Sequence, residues 1–332
     1  MRRTTRRAAL AAIAATAIAG KAAAQAQRPA AHEKWQPGPP PHTKGTRIFL
    51  DYDQIELDAA FNQSFWAADI EETLARFASD SDLMRARLGA PLREAYGISE
   101  VEKIDVYATK KREAPIHVFL HGGDWRGGVA KDYGFPAEVF VAAGAHFAVP
   151  DFAGVQSTGG ALAPVVEQIR HAISWIYRNA TRFGGDRNRI YLSGHSSGGH
   201  LAAIALMTDW SSYGAPSDVL KGGLCISGVY DLKPVRLSSR SAYLKLDEPQ
   251  QEALSPIRHI DMLRTPVVVA YGSDDSPEFQ RQGKEFAAAI KATNRPLELL
   301  VGQHYNHFAL LQTLANPYGL LGRAALQQMK LA

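Results

Sequence analysis

Four short stretches carry the residues that could do chemistry together. Ser196 stands at the centre of Gly194-His195-Ser196-Ser197-Gly198, inside RIYLSGHSSGGHLAAIAL. Glycines two residues to either side mark a tight turn with Ser196 at its apex, a test that Ser197 fails. The stretch lacks the Lys-Ser/Thr ending of a phosphate-binding loop and the spacing of a dinucleotide fingerprint. A serine hydroxyl attacks a carbonyl carbon only when a neighbouring base takes its proton, and that base needs a carboxylate to hold its tautomer. Acids follow the apolar run PVVVAYG, in Ser273-Asp274-Asp275-Ser276, and histidines follow LELLVG, in Gln303-His304-Tyr305-Asn306-His307-Phe308. The fourth stretch, His121-Gly122-Gly123-Asp124-Trp125, follows PIHVFL. Its glycines let the backbone come close to a substrate and aim N–H groups at a developing oxyanion.

The elements that must hold these residues follow from hydrophobic periodicity. IDVYA, PIHVFLHG, AHFAVPDF, RIYLSG, GGLCISG, TPVVVAYG and PLELLVG read as strands, and stretches of helical spacing separate them. The alternation predicts an α/β fold: a mostly parallel central sheet with helices on both faces. Ligands of such sheets bind beyond the carboxyl ends of the strands, and all four stretches lie there. Residues 27–46 are proline-rich and read as an extended tether. The folded domain is expected over 47–332, with a helical segment over 47–97 that could cap a pocket.

HGGDW, FGGDRNRIYLSGHSSGGHLA, ISGVYDL, GSDDSPEFQRQG and NHF, with LDYDQIELDAAFNQ near the start, together resemble the kynurenine formamidase (arylformamidase)-like branch of the α/β-hydrolases, related to hormone-sensitive-lipase-like esterases. The resemblance implies Ser196 as nucleophile, Asp275 as the orienting carboxylate with Asp274 as the alternative, and His307 as base in preference to His304. It also implies an oxyanion hole from the N–H groups of Gly122, Gly123 and Ser197. Trp125 and His195 are assigned to substrate binding, with core packing the other reading of Trp125 and turn hydrogen bonding that of His195 and His200. Asp124 departs from the family pattern and either faces the pocket mouth or turns into a salt bridge. The implied activity is metal-independent hydrolysis of a small ester or arylformamide through an acyl-enzyme. Hydrolysis of N-formylkynurenine itself is the narrower alternative, and a non-catalytic binding protein on the same fold the more distant one. No triad position has decayed.

Composition excludes several other classes. The 332 residues are 46% hydrophobic and 21% charged, ordinary for a folded chain. The net charge of +4 falls to −1 without residues 1–26, which carry five basic residues and no acid, so nucleic acid is not an expected partner. Those residues combine arginine pairs, an Ala/Ile stretch and Ala24-Gln25-Ala26, and predict a signal peptide of twin-arginine or Sec type cut after Ala26. A periplasmic or secreted protein without a stable membrane anchor is expected. Cys225 is the single cysteine and sits in an apolar run, as a buried hydrophobe would. No histidine, cysteine and acid cluster at ligand spacing predicts a metal, and no cofactor is expected. The oligomeric state is not readable from these features.

Overall fold

Strands rich in β-branched and aromatic residues assemble one eight-stranded sheet in the computed structural model, which describes residues 36–332. The predicted signal peptide and the first part of the proline-rich stretch lie outside the described residues. The strands are β1 (Leu92–Ala95), β2 (Lys103–Tyr107), β3 (Ala114–Leu120), β4 (His146–Pro150), β5 (Gly185–His195), β6 (Leu220–Ile226), β7 (Val267–Gly272) and β8 (Leu297–Gly302). Their spatial order is β1-β2-β4-β3-β5-β6-β7-β8. β2 pairs antiparallel with both β1 and β4, and every pair from β4 to β8 is parallel. The chain therefore has the expected mostly parallel α/β sheet.

The central strands are buried on both faces, which explains their unbroken apolar runs. On β3, Ile116, Val118 and Leu120 join one core, while Phe119 joins the other. The first core is closed by helices Ala163–Asn179, Ser197–Leu206 and Pro277–Ala292, and the second by helices that include Leu320–Gln328. Among the described residues no helix is long and apolar enough to cross a membrane.

The amino-terminal segment forms helices Gln54–Phe61 and Ile70–Leu88, but it is not helical up to Gly97. Leu92–Ala95 instead forms edge strand β1, in register with Val106 to Lys103 of β2. LREA contains no β-branched residue, so local propensity conceals the strand. What holds it is the open edge of β2 and Arg93, which bridges Asp105 and Asp151 at 2.6 Å each. The tether reading also stops short of residue 46. Gly38 N–H donates to the Phe65 carbonyl (2.9 Å), while His42 Nε2 and the Gly45 N–H both meet Asp53 Oδ2 (3.0 and 2.7 Å). Asp53 caps the helix Gln54–Phe61 with its other oxygen, so the cap anchors the preceding chain as well.

Candidate active site

Strand β5 ends at His195 and a helix begins at Ser197, so Ser196 alone makes the turn. Its backbone adopts φ 58°, ψ −123°, a sparsely populated region costing about 1–3 kcal/mol, which the surrounding packing must hold in place. The flanking glycines have a steric cause. A Cβ on Gly194 would collide with the Gly198 carbonyl, and one on Gly198 with the Leu120 carbonyl. The Ser196 N–H is fixed to the Ile226 carbonyl of β6 at 2.9 Å. The side chain therefore stands at the carboxyl end of the sheet, 6% exposed and facing a cavity.

The loops after β7 and β8 bring an acid and a base together. His307 Nδ1 lies 2.8 Å from Asp275 Oδ1, with both side chains almost fully buried. A carboxylate can only accept, so Nδ1 carries the proton and Nε2 keeps its lone pair. Asp275 Oδ2 accepts from Ser227 Oγ (2.6 Å) and from the Gly272 N–H (3.1 Å). Asp274, the alternative acid, is exposed and meets only Ser273 Oγ (2.9 Å). His304 is likewise exposed, on a loop held by its N–H to Ser273 Oγ (2.8 Å). Ser196 and His307 line the same cavity without a hydrogen bond between them, the loose geometry common in ligand-free sites.

Gly122 packs directly against the apex: a Cβ there would lie 3.1 Å from both Ser196 Cβ and the His195 carbonyl oxygen. Next, Gly123, Asp124 and Trp125 all have positive φ (120°, 58° and 57°), closing a tight loop in which the Arg126 N–H returns to the Gly123 carbonyl at 2.8 Å. The N–H groups of Gly122, Gly123 and Ser197 donate to no acceptor among the described residues. Gly122 and Gly123 line the same cavity as Ser196, and Ser197 follows it at the start of the helix.

The chain is also similar to known hydrolases. Residues 104–214 match the BD-FAE family model. Over 293 residues the chain is 28% identical to the kynurenine formamidase of Danio rerio, covering 82% of this chain and 96% of that one. A solved structure from Silicibacter sp. tm1040 superposes with TM-score 0.72 at 24% identity, covering 81% and 98% of the two chains. A thermostable carboxylesterase cloned from a metagenomic library gives 0.61 at 18% identity, covering 79% and 97%. The chain is similar to kynurenine formamidases and carries the α/β-hydrolase fold. It is an esterase/formamidase-type hydrolase.

The cavity that Ser196 and His307 share measures about 760 Å³. One wall comes from the amino-terminal segment, through Asp58, Phe61, Gln63, Ile70 and Leu74. A larger cleft of about 900 Å³ lies elsewhere, beside Phe135 and Tyr318, and contains none of the residues described above. Trp125 does not line the cavity, contrary to the sequence assignment. It is 1% exposed, its indole N–H donates to His200 Nδ1 (3.2 Å), and its ring meets the imidazole edge-on. The backbone reversal at Trp125 turns the large side chain inward, where it supports the glycine loop from below. His195 does reach the cavity wall, but its Nε2 is committed to the His307 carbonyl at 2.8 Å, and burial holds its pKa down at about 3. Through that bond it is tied to the loop that carries His307. His200 is also a packing residue, donating from Nε2 to the Leu254 carbonyl (2.8 Å).

Asp124 turns into a salt bridge, with Arg240 at 2.7 Å and Arg126 at 3.6 Å. Arg240 also donates to the Phe61 carbonyl (2.7 Å) and lies over the Phe61 ring (5.0 Å), tying the amino-terminal segment to the glycine loop. Sequence reasoning missed it, because one arginine in VRLSSRSAYLKL gives no sign of what it will reach. Ser227 was findable: it directly follows β6, at the strand end where polar residues count. Asp231, in ISGVYDL after β6, ties its own loop: it accepts from the Lys233 N–H (2.9 Å) and pairs with Arg258 (3.2 Å).

Proposed function

We propose that this hydrolase cleaves small esters and arylformamide-type amides by a serine mechanism, with Ser196 as nucleophile, His307 as base and Asp275 as the carboxylate that orients it. The supporting observation is the buried Asp275–His307 pair at 2.8 Å, sharing one cavity with a serine held in a strained strand-to-helix turn. Because Asp275 holds the proton on Nδ1, His307 Nε2 is free to take the Ser196 proton as Oγ attacks the substrate carbonyl carbon. The negative oxygen then accepts from the N–H groups of Gly122, Gly123 and Ser197, each such donor being worth about 3 kcal/mol in the transition state. The protonated His307 passes its proton to the leaving oxygen or nitrogen as that bond breaks, leaving an acyl-enzyme on Ser196. Water attacks the acyl carbon with His307 again as base, releasing the acid and restoring the serine.

Relatives named kynurenine formamidase favour a small acyl group, and the similarity to esterases favours an oxygen leaving group. Short aryl esters satisfy both, and N-formylkynurenine is the narrower candidate. The amino-terminal arginine pairs and Ala-Gln-Ala site support export of the mature chain. A fluorophosphonate probe should label the wild type and leave Ser196→Ala unlabelled. In parallel, kcat/KM for phenyl acetate, N-formylkynurenine and a long-chain ester ranks the substrates. Labelling or turnover that survives Ser196→Ala overturns the mechanism, and a clear preference for the long chain overturns the substrate class.

A further inference from the structure

Four charged side chains line the active-site cavity apart from its histidines, and each already has a partner. Asp124 lies between Arg240 and Arg126. Asp58 accepts from the Gln54 amide (3.0 Å) and the Ser239 N–H (2.6 Å). Two uncharged groups on the same walls have none. Gln63 is 7% exposed, and neither its Oε1 nor its Nε2 meets a hydrogen-bonding group among the described residues. The buried hydroxyl of Tyr243 is equally unpartnered, while its ring is held under the Arg126 guanidinium at 4.4 Å.

The backbone that carries Gln63 is fixed in place. The residue opens a short 3-10 turn, Gln63–Phe65, whose start is capped by the Asn62 side chain on the Ser64 N–H (3.2 Å). Its own carbonyl accepts from the N–H groups of Trp66 (3.0 Å) and Ala67 (2.9 Å). A buried amide with both ends unpaired is costly, and its position in the wall of a substrate cavity accounts for it if the partner arrives with the substrate. A carboxamide offers one acceptor and one donor in a plane, and the group that complements it is another planar donor–acceptor pair. The two guanidinium groups and two carboxylates on these walls cancel, so no net charge repays the dehydration of an ionic group.

We propose that Gln63 and Tyr243 form a recognition subsite for a neutral amide-class group on the substrate, at a distance from the bond that is cleaved. This rests on the serine-hydrolase reading above. The test uses three aryl acetates whose ring substituents are alike in size: acetamido, isobutyl and carboxymethyl, each in the para and the meta position. The wild type should favour the acetamido ester over the isobutyl ester by at least about tenfold in kcat/KM, with the carboxymethyl ester last. Gln63→Leu and Tyr243→Phe should each reduce that ratio. Binding supplies a readout independent of turnover: titration calorimetry on Ser196→Ala should show the acetamidophenols binding more tightly than the isobutylphenols, a difference lost on adding Gln63→Leu. Equal treatment of the three esters, preference for the carboxymethyl ester, or equal loss on all three in both variants overturns the subsite. Loss of the mechanism alone would show differently, as turnover surviving Ser196→Ala while the difference in phenol binding persists.

Discussion

His195 donates its Nε2 proton to the backbone carbonyl of His307 at 2.8 Å, and the two imidazoles lie 4.6 Å apart at 48°. A carbonyl cannot donate, so this bond fixes the His195 tautomer, and burial keeps the ring neutral. The residue before the serine therefore holds the loop carrying the base. His195→Leu should lower kcat by about 10- to 100-fold with little change in KM, because a base displaced by a fraction of an ångström loses rate rather than binding. His195→Gln keeps a donor at similar reach and should recover part of the loss. Equal activity of the two variants would show that the hydrogen bond does not position His307.

Asp275→Asn should reduce kcat by about 10⁴-fold through a misheld imidazole, whereas Asp274→Asn should remain near wild type. Ser227→Ala removes one of the two hydrogen bonds to Asp275 Oδ2 and should cost on the order of tenfold. Steady-state kinetics on the three variants decides the order, and a damaging Asp274→Asn would refute the loop geometry.

Arg240 is buried and joins the amino-terminal segment to the glycine loop through Phe61 and Asp124. Removing one partner of a fully buried ion pair costs about 3–5 kcal/mol, and the one-third exposure of Asp124 reduces this to about 1–3 kcal/mol. Arg240→Met should lower Tm and kcat/KM together. Adding Asp124→Leu should restore part of the stability, since it removes the orphaned carboxylate. A double variant no more stable than the additive expectation would show that the pair is uncoupled.

Stability should fall in acid. Burial holds His117 and His195 at about 3 and His200 at about 4, and lowers His121 and His146 from the ordinary 6.5. Below pH 6.5 the unfolded chain takes up protons that the folded chain refuses, so stability is lost as pH falls toward 3. His117, His195 and His200 each contribute on the order of 2 kcal/mol of loss by pH 5. Asp105 and Glu278, raised by burial, act in the opposite sense and offset part of the loss at the acidic end. Calorimetry from pH 7 to 4 should show a falling Tm with net proton uptake on unfolding; a flat Tm would contradict the buried neutral histidines.

Expression with the native amino terminus in a bacterial host should yield a processed chain beginning near Gln27. Intact-mass measurement on periplasmic and cytoplasmic fractions checks it. A chain retaining Met1 and confined to the cytoplasm would count against export.

The sequence by itself determined the central strands, because a strand buried on both faces must be apolar throughout, as PIHVFL and PVVVAYG are. It also marked the serine turn, since only glycines at 194 and 198 permit the backbone crossings found there. The polar residues after β7 and β8 followed from the same topology. What it left open was contact between distant segments. Asp274 and Asp275 are chemically identical neighbours, and only the fold of the β7 loop decides which one turns inward to His307 and Ser227. Trp125 could equally have been pocket wall or core until the positive φ at three successive residues directed it downward. Strand β1 exists because β2 had an unpaired edge and Arg93 two acids within reach, neither of which is written in LREA. Arg240, Gln63 and Tyr243 gain their meaning from the segments that share the cavity with Ser196. Local pattern fixes what a residue can do; the residues it meets across the fold decide whether it does so.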